Sequence, residues 1–234
     1  MTLAREPDGT AYKHFNAFFT RELKPGIRPI DEEKNTVLCP VDGSISQIGK
    51  IESGKIFQAK NRTYELGELL ANDELTEKFR DGQFATLYLS PRDYHRIHMP
   101  VDGKLIKMTY VPGKLFAVNN HTVKIVDRVF ARNERVISCF ETRIGLMALV
   151  MVGAINVGSM ETVWAGEITP AKNRAITATD FNTQSVQLKR GEEMGRFNMG
   201  STVILLFEKN KIRWLSDFQA EKIITMGMTL ASFQ

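Results

Sequence analysis

The chain is poor in cysteine and histidine and has no long apolar run. Only two cysteines occur in 234 residues, Cys39 and Cys139, one hundred positions apart. Neither stands in a Cys-x-x-Cys or mixed Cys/His spacing, which excludes a disulfide framework and the usual structural zinc sites. Each lies in an apolar stretch, so both are expected to be reduced core thiols in a reducing, cytosolic compartment. The four histidines are His14, His95, His98 and His121. No HExxH spacing joins them, and no metal is expected. The longest apolar run, Leu146 to Val157, is interrupted by Gly153 and Asn156, well short of the ~20 residues a bilayer-crossing helix needs. The first ten residues are polar and hold Pro7 and Gly9, without the apolar stretch of a signal peptide. Any membrane contact is therefore expected to be peripheral.

Charge of one sign is also missing. The 31 basic residues outnumber the 27 acidic ones by four, and acids interrupt the basic clusters, as in Arg132-Asn133-Glu134-Arg135. That pattern argues against a nucleic-acid partner. A small basic surplus suits an anionic membrane surface, where each Lys or Arg contributes about 1 kcal/mol. With 43% hydrophobic and 25% charged residues the composition is that of a globular protein long enough to bury its own core. No Ser/Gly-rich linker divides it, so residues 1–234 are expected to form a single domain.

Residues 11–23, AYKHFNAFFTREL, place Tyr12, Phe15, Phe19 and Leu23 at helical spacing with Phe18 beside them. The pattern predicts a short amphipathic helix, stopped at Pro25-Gly26, that packs on the domain and can touch lipid. Beyond Val37 the pattern becomes extended. Strands are predicted over 44–51, 55–59, 84–89, 104–111, 135–142, 146–153, 156–163 and 203–208, with one helical patch over 66–80. The strands follow one another too closely for crossover helices, which predicts an α+β chain, predominantly antiparallel β, with a sandwich or barrel-like core of lipoyl-like hybrid form. Pro40-Val41-Asp42-Gly43 and Pro100-Val101-Asp102-Gly103 are matching turn signals that open strands, which suggests related halves of one β-core.

Two segments carry the candidate chemistry. His95 and His98 lie in a stretch dense in ionisable groups between Pro91 and Pro100, suited to acid–base work near neutral pH. Gly200-Ser201 precedes an apolar strand but is not a G-x-S-x-G elbow, because Met199 and Val203 stand where glycines would be needed.

Taken together, several segments in order resemble one family. They are Phe15-Asn16-Ala17-Phe18-Phe19-Thr20-Arg21 running into Leu23-Lys24-Pro25-Gly26-Ile27-Arg28-Pro29-Ile30; Pro40-Val41-Asp42-Gly43; Leu89-Ser90-Pro91 through His98-Met99-Pro100; Val111-Pro112-Gly113; Phe130-Ala131-Arg132-Asn133-Glu134-Arg135; Val152-Gly153-Ala154 with Val157-Gly158-Ser159; and Gly195-Arg196-Phe197 leading to Gly200-Ser201-Thr202-Val203. The chain resembles the bacterial phosphatidylserine decarboxylases. It departs from them in carrying Met199 where the cleavage tripeptide usually has Leu, a volume-conserving change. It is also expected to start after the extra N-terminal segment that helps family members associate with membranes.

The resemblance implies a proenzyme that cuts itself between Gly200 and Ser201. The products are a β chain, residues 1–200, and an α chain of 34 residues, 201–234. Ser201 Oγ attacks the Gly200 carbonyl, the resulting ester is expelled by β-elimination, and the dehydroalanine at 201 hydrolyses to a pyruvoyl group and ammonia. By the same resemblance His98 is the base and Asp42 its orienting carboxylate, completing an Asp-His-Ser triad with Ser201. The covalent pyruvoyl cofactor then forms a Schiff base with phosphatidylserine and serves as electron sink for loss of carbon dioxide, giving phosphatidylethanolamine. His95 is the position tied to that second reaction. The expected setting is peripheral, on the cytoplasmic face of the cell membrane, with the β and α chains of one precursor held together and a homodimer as the assembly. Asp102, the repeat counterpart of Asp42, is read as a turn residue only. Two alternatives stand beside it: a serine hydrolase built on the same Asp42, His98 and Ser201, and, from the repeated turn-strand pattern, a non-enzymatic lipoyl-like module, whose carrier lysine would have to sit at a hairpin tip rather than at Lys107 inside a predicted strand.

Overall fold

The computed structural model describes residues 2–59, 61–155, 159–168, 175–198 and 201–234. One helix and eight strands position the site. They are α1 (Phe15–Phe19), β1 (Gly43–Lys50), β2 (Gln83–Leu89), β3 (Arg96–His98), β4 (Gly103–Val111), β5 (Arg135–Thr142), β6 (Gly145–Gly153), β7 (Glu193–Phe197) and β8 (Ser201–Phe207). Six of these strands run through a nine-stranded antiparallel sheet in the order β4-β5-β6-β8-β2-β1. Thr177–Asp180 and Gln187–Leu188 flank β4, and Ile223–Ile224 flanks β1. Strands β3 and β7 belong to a separate four-stranded sheet with Met160–Thr162 and Gly166–Ile168.

Strand β8 sits at the centre because both of its faces are apolar. Val203, Leu205 and Phe207 point into one core, while Ile204 and Leu206 point into the other. Neighbouring β6 alternates the same way, with Met147, Leu149 and Met151 opposed to Ala148, Val150 and Val152. A strand without a polar face is stable only when covered on both sides. The small sheet covers one face through Ile97, Met99, Met194 and Phe197, and the hairpin and short helices between residues 55 and 79 cover the other through Ile56, Leu69 and Phe79. The result is the antiparallel, sandwich-like α+β chain expected.

The matching turn signals do open strands, β1 at Gly43 and β4 at Gly103. Gly43 has a φ of 153°, and a Cβ there would stand 2.1 Å from the Tyr88 carbonyl oxygen. Only glycine lets β1 lie that close to β2. Both cysteines are buried and free, and burial raises each thiol to about 12, which keeps them protonated and inert.

The helices are shorter than their patterns predict. His14 caps α1 through its side chain, which accepts from the Ala17 amide, and Thr20 closes it, its hydroxyl donating back to the Asn16 carbonyl 2.8 Å away. The helix therefore spans five residues rather than most of 11–23. Over 66–80, left-handed Ala71 and Asn72 split the patch into Leu66–Leu69 and a 3-10 turn at Thr76–Phe79. The strand predicted over 156–163 is present at Met160–Thr162, and Asn156 to Gly158 lie outside the described residues. Among the described residues no helix is long and apolar enough to cross a membrane.

Candidate active site

Strand register gathers the predicted residues at one end of the large sheet. Ser201, the first residue of β8, pairs with Leu89 on one side and Gly153 on the other. Gly43, on the far side of β2, abuts Tyr88 and Leu89. Asp42 thus stands at the level of Ser201 two strands away, about 10 Å at ordinary interstrand spacing. Leu89 is also where β2 ends and the histidine segment departs, so Asp42, the two histidines and Ser201 are brought to the same rim. Gly200, with Met199, lies outside the described residues.

The histidine segment then enters β3, which pairs with β7, the strand leading toward the expected cleavage position. His95 and His98 take opposite ends of that pairing. The His95 carbonyl accepts from the Phe197 amide at 3.1 Å, three residues before Gly200. The His98 amide donates to the Pro40 carbonyl at 2.9 Å, next to the Asp42 turn.

His95 is wholly buried, with Phe19 of α1 packed on it at 4.0 Å between ring centroids. Its Nδ1–H donates to the Asp93 carbonyl at 2.9 Å, which leaves Nε2 as an acceptor, buried and without a hydrogen-bond partner. Burial lowers its pKa to about 4, so the ring is neutral at physiological pH. Arg96 holds α1 in place over the ring, donating to the Thr20 carbonyl at 2.9 Å and pairing with Glu22 and Glu193.

His98 is neutral by the same means, its pKa lowered first by burial, against the opposing pull of its bond to Gly191. Its Nδ1–H donates to the Gly191 carbonyl at 2.9 Å, and its Nε2 accepts from the Tyr94 hydroxyl at 3.0 Å. Tyr94 also stacks on the ring, at 5.7 Å and 29°. Asp42 is within electrostatic reach of His98 but is not hydrogen-bonded to it. Its carboxylate instead takes the Arg28 guanidinium on both oxygens and accepts from the Met226 amide at 2.9 Å. The structure therefore brings Asp42 and His98 together through backbone and charge, with Arg28 and Tyr94 as their immediate partners. Asp102 does more than make a turn: its carboxylate accepts from the Arg190 amide at 2.8 Å and pairs with Lys189 at 3.3 Å, tying β4 to the segment before β7.

Three features escaped the sequence reading. Arg28 and Tyr94 lie inside matched motifs, but nothing in spacing says which carboxylate or ring they meet. A hydrogen-bond chain also runs through Asn198, two residues before Gly200: Asn16 Nδ2 donates to Asn198 Oδ1 at 3.1 Å, Asn198 Nδ2 to Ser159 Oγ at 2.7 Å, and Ser159 Oγ to Glu167 at 2.6 Å. Adjacent to α1 and β3, a cleft of about 560 Å³ is lined by Arg5, Tyr12, Thr20, Arg21 and Arg96 among others. Among the described residues no three His, Cys, Asp or Glu side chains converge to hold a metal.

Known proteins bear on this arrangement. The family model for phosphatidylserine decarboxylase matches residues 15–232. A phosphatidylserine decarboxylase proenzyme of Marinobacter nauticus is 53% identical over 228 residues, covering 97% of this chain and 80% of the relative. The proenzyme of Ectopseudomonas mendocina is 50% identical over 238 residues, covering 100% and 83%, and that of Methylococcus capsulatus is 52% identical over 223 residues, covering 95% and 77%. With the family's motifs gathered at one rim of the sheet and the match running nearly end to end, the chain belongs to the phosphatidylserine decarboxylase family.

Proposed function

We propose that the chain is a self-cleaving phosphatidylserine decarboxylase whose pyruvoyl group is made from Ser201. The observation that carries this is the register placing Ser201 at the start of a strand paired on both sides, level with Asp42 and beside the departing histidine segment. In this reading Asp42 and His98 serve self-cleavage, and the accepting nitrogen of neutral His98, Nε2, exchanges the Tyr94 hydroxyl for that of the serine.

The pyruvoyl group fits the site because it arises from the chain's own residue and because the buried, unpartnered acceptor nitrogen of His95 suits the donating amine of the substrate that the group would take. Bound at position 201, it supplies a carbonyl that condenses with the substrate amine and withdraws electrons as carbon dioxide leaves. In this reading His95 takes part through Nε2, the nitrogen left as an acceptor when Nδ1–H is held on the Asp93 carbonyl. Phe19 keeps water from that nitrogen. The cleft beside α1 mixes both signs of charge: Arg5, Arg96 and Arg196 are paired with Glu22, Glu193 and Glu161, which among the described residues leaves Arg21 as the cation for the anionic headgroup of phosphatidylserine. Phe15, 62% exposed at the start of α1, suits a peripheral seat on the cytoplasmic membrane face. A homodimer belongs to the same reading and is scored by sedimentation.

A serine hydrolase would use Ser201 intact, so intact-protein mass spectrometry separates the two. The decarboxylase reading expects a 34-residue α chain carrying a borohydride-reducible carbonyl, and none from Ser201→Ala. A hydrolase expects one uncut chain that cleaves esters. His98→Ala is expected to stay uncut, while His95→Ala is cut but decarboxylates poorly. Identical behaviour of the two would overturn the division of roles. The lipoyl-like module has no support: Lys107 lies within β4 and pairs with Asp73 at 2.7 Å.

A further inference from the structure

Asp42 is expected to serve His98, yet its carboxylate is held by a cation. Arg28 Nε lies 2.9 and 3.2 Å from the two Asp42 oxygens, and a second guanidinium nitrogen closes the pair. Both side chains are largely buried, 15% and 10% exposed. The Met226 amide fixes Oδ1 from the other side. A carboxylate clamped this way has one orientation and a balanced charge.

The balance matters because of what surrounds His98. The ionisable groups facing it are Tyr94 from the preceding loop, Glu193 opposite it on β7, Arg96 from its own strand and, acting most weakly, Asp42 from the turn before β1. Glu193 is itself offset by Arg96 and Arg196, each at 2.9 Å. Asp42 has Arg28 alone as its ion-pair partner among the described residues. Were that cation absent, a partly buried carboxylate would favour a protonated imidazole nearby, and an imidazolium cannot take a proton from serine.

We propose that Arg28 is a positioning residue for self-cleavage, its ion pair with Asp42 orienting the carboxylate and balancing its charge so that His98 is a free base at neutral pH. The proposal rests on the reading of His98 as the base for Ser201, and the test separates the two.

The first measurement is a histidine NMR titration of the full-length Ser201→Ala precursor, with the His98 signal assigned by its loss in His98→Gln. Adding Arg28→Gln is expected to move the His98 midpoint to higher pH. Adding Arg28→Lys, which keeps the cation, is expected to restore it, and Asp42→Asn is expected to move it to lower pH. The last variant scores the coupling even if Arg28→Gln does not fold. The second measurement follows self-cleavage of freshly synthesised full-length chain against pH. Its acid limb is expected to move up in Arg28→Gln, with a tenfold loss of rate at a fixed pH on that limb for each unit moved. A midpoint unmoved by both Arg28→Gln and Asp42→Asn, or a rate lowered equally at every pH, would overturn the proposal. If His98→Gln alone cut itself at the parent rate, the base assignment would fall, while the titration would still report on the ion pair.

Discussion

Replacing His95 with glutamine in the uncleavable Ser201→Ala precursor should flatten the dependence of stability on acid. In the folded chain burial holds His95 near 4, whereas an unfolded chain titrates it near the ordinary 6.5. As pH falls below about 6.5 the unfolded state takes up a proton that the folded state refuses until about 4. Stability is therefore complete above the upper value and declines through this window. At about 1.4 kcal/mol per pH unit the gap corresponds to roughly 3 kcal/mol lost between pH 7 and pH 4. A neutral amide can still donate to the Asp93 carbonyl and pack under Phe19 but has no proton to gain. Carboxylates and His98 titrate in both proteins and cancel in the comparison. Urea unfolding at pH 7 and pH 4 should therefore show the His95→Gln variant losing roughly 3 kcal/mol less than its parent, or about 6–12 °C less in Tm for a chain of this size. Parallel stability–pH curves would show that His95 is not held neutral by burial, and the role given to its unpartnered Nε2 would go with it.

The chain Asn16–Asn198–Ser159–Glu167 should matter to the cut. Asn198→Ala removes two side-chain hydrogen bonds, and should cost about 1–3 kcal/mol and slow self-cleavage, read as precursor remaining on a gel over time. Parent-like cleavage with lowered stability would mean that the network only supports the fold. Gly43→Ala should be severe, several kcal/mol, because its Cβ meets the Tyr88 carbonyl oxygen. The comparison is Gly26→Ala, at φ 76° with nothing within 4 Å, which should cost only about 1–2 kcal/mol in thermal unfolding. Equal losses would show that close approach is not what Gly43 provides.

The six long strands of the large sheet were legible because their apolar runs are unambiguous, whereas β3 and β7, short and broken by charged residues, were not among the strands expected. The pattern over 135–142 matched β5 residue for residue, and those over 104–111 and 146–153 missed β4 and β6 by one position. Helices were less so. The Phe-rich stripe predicts a longer α1 than the five residues observed, because the His14 and Thr20 caps act locally and carry no periodic signal. Over 66–80 the apolar spacing is helical, but left-handed Ala71 and Asn72 break it.

Residue types alone determined which groups can do chemistry here: two histidines three positions apart, an Asp-Gly turn and a Gly-Ser step before an apolar strand, arranged in the family's order. Their partners are decided by the tertiary structure. Arg28 is 14 positions from Asp42, Phe19 is 76 from His95 and Asn16 is 182 from Asn198, separations that no local pattern encodes. Protonation state is decided there too. A histidine's ordinary pKa follows from its ring, but the neutral form of His95 and His98 comes from desolvation under α1 and β7 and from carbonyls that fix each Nδ1 proton. Burial and charge balance are sums over neighbours that only the folded chain assembles.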